Sequence, residues 1–252
     1  MKILVPLSRT EDPQARIRLN REATDIDRDG VSMVINPFDE IAVEESLRVL
    51  ADHGTDDSEL IVCCIGEDSV SSELRRALAM GAHRAIQVST DADLSPEVVT
   101  PLLAALARRE SPDLIIMGKQ SIDGDSGQVP QRLAQNLGWP QGTFAFNLTL
   151  DGRSATVGRE VDGGTMSVGF DLPGIVSTDL RLNEPRLPKL PDIMKAKRKP
   201  YETLNPDELG GLAETRIRVT ALAAPPARAA GQIVADVDTL ITKLTDEAKV
   251  LG

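Results

Sequence analysis

A chain of 252 residues, 41% of them hydrophobic, is long enough to bury a sizeable core and is expected to be globular. Its net charge of −11 and aromatic content of 2% argue against nucleic acid and anionic membrane surfaces as partners, because phosphates are repelled and bases find few rings to stack on. No apolar run approaches the roughly 20 residues of a membrane span, so membrane insertion is not expected either.

Lys2 to Leu7 reads as a first buried strand through Ile3, Leu4, Val5 and Leu7, ending near Pro6 and Ser8. No charged leader or apolar signal region precedes it, which points to a cytoplasmic protein. Ser8 to Val34 is charged and punctuated by glycine and proline, and fits a hairpin or an excursion. Asn36-Pro37-Phe38-Asp39-Glu40 is a helix start: Asn36 suits the cap, Pro37 the first turn, and Asp39 and Glu40 the positive end of the dipole. Val43, Leu47 and Leu50 then form one apolar stripe before Gly54. Leu60 to Ile65 is the next strand and carries both cysteines, Cys63 and Cys64. Adjacent strand residues point to opposite faces, so these two read as buried small hydrophobes in a reducing compartment rather than as a disulfide. A helix at Ser71 to Met80 closed by Gly81, a strand at Arg84 to Val88 and a helix at Pro101 to Arg109 follow. His53 and His83 stand near helix ends without companion ligands and read as surface histidines.

The unbroken apolar run Leu114 to Met117 stops at Gly118, as a strand buried on both faces does. The next ten residues are polar and glycine-rich, and a helical pattern resumes through Val129, Leu133 and Leu137 until Gly138. In open parallel sheets such a loop lies at the carboxyl end of a strand, and the helix after it points unpaired N–H groups at an anion. Gly118-Lys119-Gln120-Ser121 lacks the earlier glycine of a Walker loop, and no Gly-x-Gly-x-x-Gly follows the first strand. Asp123 and Asp125 disfavour a bare triphosphate. A nucleotide held mostly by backbone groups fits the loop; an ordinary solvated loop fits it too. The alternation of strand and helix predicts an α/β fold, an open, mostly parallel sheet with helices on both faces.

From Thr143 short alternating segments at Asn147 to Leu150, Ala155 to Glu160 and Met166 to Phe170, joined by Asp151-Gly152 and Asp162-Gly163-Gly164, predict an antiparallel extension, followed by a strand at Ile175 to Thr178. Four prolines then break the pattern, while Leu187, Leu190, Ile193 and Met194 alternate with Lys189, Lys195, Lys197, Arg198 and Lys199. An apolar knuckle with basic flanks suits a docking element; the alternative is a loop tucked onto its own core. Ala221 to Ala230 reads as an Ala/Pro linker, and Ile233 to Val250 as an amphipathic terminal helix, a C-terminal arm able to cross to a partner.

Several stretches, in order, resemble the small, beta subunit of electron transfer flavoproteins: Lys2 to Arg9, Asn36 to Glu45, Ala77 to Ala82, Gly118 to Asp123, Trp139 to Ala145, Arg159 to Gly164, Asp179 to Arg186 and Leu190 to Lys197. The resemblance runs to about residue 212. It implies a Rossmann-like adenine-nucleotide-binding domain over 1–185, a partner-recognition loop over 186–200, and a linker and helix over 201–252 that contact the larger alpha subunit. It implies an electron carrier rather than an enzyme, with FAD held mostly by the alpha subunit and a structural AMP in this one. Carried over, the AMP pocket would use Pro6, Asn36, Pro37, Phe38, Asp39, Ile65, Gly118, Lys119, Gln120, Ser121, Ile122, Asp123, Gly124, Asp125, Ser126, Gly127, Gln128 and Val129. The recognition loop would use Leu190, Pro191, Ile193, Met194, Lys195 and Lys197 to dock acyl-CoA and related flavin dehydrogenases, Leu190 as anchor. A quinone oxidoreductase would take the electrons onward. Glu160 matches a family glutamate that lies toward the flavin domain of the partner. One departure matters: Asp123-Gly124-Asp125-Ser126-Gly127-Gln128-Val129 looks more like the branch in which a second FAD replaces AMP and electrons are bifurcated. Rival readings are a free-standing stress-protein-like nucleotide-binding module, which needs no docking loop, and an ATP-pyrophosphatase, which needs a phosphate loop after the first strand that Pro6-Leu7-Ser8-Arg9 does not offer.

Overall fold

A computed structural model describes residues 1–227 and 230–251. Two compact units divide the chain, one of Met1–Arg16 and Arg28–Arg218, the other of Ile17–Asp27 and Val219–Gly252.

The larger unit is built on central strands whose side chains, after the first residues Lys2 and Glu59, are buried. β1 (Lys2–Leu7), β4 (Glu59–Gly66) and β6 (Leu114–Gly118) lie in the middle of a nine-stranded sheet; between β1 and β4, the short β2 (Arg9–Glu11) and β3 (Met33–Ile35) pair antiparallel with each other. The strand at Arg84–Ser89 is β5, Gln141–Asp151 β7, Ser154–Val161 β8, Gly164–Asp171 β9, Gly174–Thr178 β10 and Tyr201–Leu204 β11. Across the sheet the order is β11-β5-β4-β1-β6-β10-β7-β8-β9, parallel throughout except for the β7-β8-β9 extension.

Side-chain alternation splits the core in two. Ile3, Val5, Leu60, Val62, Cys64, Leu114 and Ile116 pack on one face with α1 (Pro37–His53) and α2 (Ser71–Met80). Leu4, Ile61, Cys63, Ile115 and Met117 pack on the other with α3 (Pro96–Glu110) and α4 (Val129–Leu137). The two free cysteines therefore face opposite layers, and burial pushes the Cys64 thiol up to about 12.

Several boundaries differ from expectation for physical reasons. α3 starts five residues before Pro101, on Ser95-Pro96-Glu97, and carries Pro101 inside it. The expected recognition loop contains a short helix, α5 (Leu190–Ala196). β11 was not apparent as a strand; it is four residues long and is defined by its pairing to β5 at the sheet edge. In the smaller unit, Leu19 bridges Ile26 and the Leu222 N–H donates to the Ala23 carbonyl. The terminal helix is shorter than Ile233 to Val250: α6 spans Val237–Thr242 and passes into a wider turn at Lys243–Glu247. Residues 228 and 229 of the expected linker lie outside the described residues.

Candidate functional site

The carboxyl ends of β1, β4 and β6 lie side by side, and the first turn of α1 fastens the loop that leaves β6. Asp39, 4% exposed, is the clamp: its Oδ2 accepts the Ser8 N–H at 2.7 Å and its Oδ1 the Gly118 N–H at 2.8 Å. Burial pushes its carboxyl up to about 6, against the opposing pull of these donors and the Asn36 side chain. Asn36 stands at the N-cap position but does not cap the helix with its side chain. Its Nδ2 donates instead to the Gln120 carbonyl at 2.8 Å and its Oδ1 accepts the Ile122 N–H at 3.2 Å, holding two backbone groups of the loop. Gly118 is demanded by this closeness, since a Cβ there would lie 2.3 Å from Asp39 Oδ1 and 2.8 Å from Phe38 Cβ.

The loop's own acids are occupied. Asp123 accepts from the Ser121 hydroxyl and from the Gly124 N–H at 2.6 Å, and Asp125 Oδ1 accepts from Gln120 Nε2 at 2.7 Å. These donors partly offset the negative charge that would otherwise oppose an anion. No heavy atom lies within 4 Å of where a Gly124 Cβ would stand, and the nearest to a Gly127 Cβ is 3.9 Å away, so the loop offers bare backbone on its open side. Ser126, Gln128 and Val129 lead into α4, whose first N–H groups have no acceptor within the helix. Pro37 opens α1, and Pro6 and Ile65 stand near the ends of the adjacent strands β1 and β4. The residues expected to form a pocket thus share one edge of the sheet.

Lys119 connects this loop to the far side of the edge. Its Nζ pairs with Asp179 Oδ2 at 2.8 Å and stands 5.0 Å from the Phe38 ring centre and 5.7 Å from that of Phe144. Burial raises the Asp179 carboxyl, but the Lys119 and Arg181 side chains outweigh it and hold the group below the usual carboxylate range. Phe144 adopts a left-handed backbone, φ +59°, and its N–H donates to Ser177 Oγ at 3.0 Å. The family-like stretches of the sequence include Phe144 and Asp179 but assign neither a role: neither periodicity nor spacing marks an aromatic residue in that backbone region, or an aspartate sixty residues away as the partner of Lys119. Glu160 pairs with Arg181, and both are half-exposed.

The segment expected to dock partners is not an irregular loop. It is α5, with Pro191 in its first turn. Leu190 is 74% exposed, Met194 58% and Ile193 43%, with Lys195 and Lys197 exposed beside them; within the helix only Ala196 is buried. Among the described residues no group of His, Cys, Asp and Glu is close enough to hold a metal ion, and no helix is long and apolar enough to cross a membrane.

Residues 24–209 match the family model described as the electron transfer flavoprotein domain. The chain is 45% identical over 255 residues to the mitochondrial electron transfer flavoprotein subunit beta of Oryza sativa subsp. indica, covering 100% of both. It belongs to the electron transfer flavoprotein beta-subunit family. Other relatives carry the same description, subunit beta: one from Bradyrhizobium diazoefficiens, 45% identical with full coverage of both chains, and one from Homo sapiens, 41% identical over 99% of each. Family membership accounts for the parallel sheet with flanking helices and marks the chain as an electron-transfer subunit of a flavoprotein.

Proposed function

We propose that the chain pairs with an electron transfer flavoprotein alpha subunit that holds most of the FAD, and that its own sheet edge holds a structural AMP. In this reading it is a cytoplasmic electron carrier subunit, not an enzyme: acyl-CoA and related flavin dehydrogenases reduce the flavin after docking on α5, and a quinone oxidoreductase reoxidises it. The observation that carries the nucleotide assignment is the fastening of the Gly118–Val129 loop by Asn36 and Asp39. It fixes backbone N–H groups and a helix N-terminus on an edge whose acids are already hydrogen-bonded, a setting in which a phosphate is stabilised by dipoles rather than by a lysine. The flavin, when bound, supplies the electron storage; this chain's residues hold the adenylate and present the docking helix.

A specific observation favours a second ligand at the same edge. No atom comes closer than 3.9 Å to where a Gly127 Cβ would stand, which leaves room for a larger group beside the loop that resembles the second-FAD branch. Denaturing the purified heterodimer and counting released nucleotides separates the two: one AMP per FAD is the expected result, and two FAD without AMP would replace the adenylate by a second flavin.

A further inference from the structure

A seven-residue helix with a single buried side chain does not hold its shape alone, since isolated helices of that length are marginal in water. What holds α5 lies outside it, at both ends. On the leading side Arg186 donates to Glu44 of α1 through Nε at 2.7 Å and Nη2 at 3.1 Å, while its backbone N–H reaches the same carboxylate at 3.1 Å. On the trailing side Arg75 of α2 donates through Nη1 to the carbonyls of Ala196 at 2.8 Å and Lys199 at 3.2 Å, and its guanidinium lies 4.6 Å from the centre of the Tyr201 ring. Lys199 returns the contact, its Nζ donating to the carbonyls of Leu78 at 2.8 Å and Ala82 at 2.7 Å, at the end of α2. Tyr201 is fixed in turn by its hydroxyl, which donates to Gln87 on β5.

We propose that Arg75 is the positioning residue of the docking helix: it satisfies the carbonyls at the end of α5 and ties them to α2 and β11, so that Leu190, Ile193 and Met194 meet a dehydrogenase already arranged. The inference rests on the docking reading above. A segment ordered before encounter does not lose its conformational freedom at encounter, and affinity rises by that difference. Arg75 is half-buried, is none of the residues expected at the nucleotide edge, and shares a pocket with Ile193 and Lys197 of the docking segment, beside the helix end it holds.

The test uses the complete heterodimer and an acyl-CoA dehydrogenase reduced by its substrate, with flavin reduction followed against dehydrogenase concentration and amide hydrogen exchange followed along the chain. Arg75→Met is expected to speed exchange across residues 190–199 at least tenfold while α2 stays protected. It should also raise the half-saturating dehydrogenase concentration about tenfold with the limiting rate unchanged. Arg75→Lys, which keeps one donor without the planar stack, should fall between. Unchanged exchange in 190–199, or a lower limiting rate at the parent's half-saturation, would overturn the inference. Leu190→Ala keeps the two readings apart. If it weakens docking while a loosened Arg75→Met variant docks normally, the positioning role fails and the docking surface stands; if it has no effect on transfer, the docking surface itself fails and the inference with it.

Discussion

Asp39 illustrates how one buried side chain fastens two chain segments through their backbone N–H groups. An aspartate in the first turn of a helix ordinarily serves the helix dipole, but here the carboxylate is withdrawn from solvent to join the ends of β1 and β6. Its folded-state pKa, about 6, stands above the 3.8 of an unperturbed aspartate, so the folded state holds its proton to higher pH than the unfolded chain. The resulting contribution to stability is fully present below pH 3.8 and is lost as pH rises through about 6. Taken at about 1.4 kcal/mol for each pH unit between the two values, the contribution is about 3 kcal/mol. Asp39→Asn removes the titration, though its amide nitrogen would face one of the two N–H donors and leave that bond unmade. The stability of the parent relative to this variant should therefore fall by about 2 kcal/mol between pH 4 and pH 7, measured by denaturant unfolding at each pH. A difference that stays constant across that range would mean that the buried carboxyl titrates as an ordinary one.

At the scale of elements, α5 depends on its surroundings in the opposite way from the central strands. Leu190 contributes almost nothing to the fold, with 74% of its surface exposed, yet it is the most exposed apolar side chain of α5. Leu190→Ala should leave the unfolding midpoint within about 1 °C of the parent, as exposed substitutions do. It should slow flavin reduction by a dehydrogenase through the loss of about 1.5 to 3 kcal/mol of burial in the complex. A variant that is destabilised but transfers normally would place Leu190 in the protein's own packing. This contrast also explains what was readable in the sequence. β1, β4 and β6 are covered on both faces and so appear as unbroken apolar runs, and α1, α2 and α4 have Gly54, Gly81 and Gly138 just beyond them. The start of α3 was obscured because Pro101 resembles a first-turn proline, although Ser95 and Pro96 supply the real start. β11 and the shape of α5 are products of contacts with β5 and α2, which no local pattern records.

For the molecule as a whole, the central fact is an uneven distribution of charge. The chain carries −11, yet from 187 to 199 Lys189, Lys195, Lys197, Arg198 and Lys199 are opposed only by Asp192. The apolar residues of α5 sit among these cations, on a helix that packs against α2, so the most basic stretch also carries exposed apolar side chains. In the docking reading proposed above, that coincidence would select for a partner with acidic groups around an apolar recess and would repel the cationic surfaces that the rest of the chain would attract. Steering by exposed charges acts over about 10 Å at 0.1 M salt and much further at lower ionic strength. The second-order rate of flavin reduction by a dehydrogenase should accordingly fall roughly tenfold between about 0.01 M and 0.15 M salt. The limiting rate at saturating dehydrogenase should change little, because electron transfer within the docked complex is not steered. Stopped-flow measurements at several salt concentrations decide it: a second-order rate indifferent to salt would show that the lysines do not guide encounter and that apolar contact alone selects the partner.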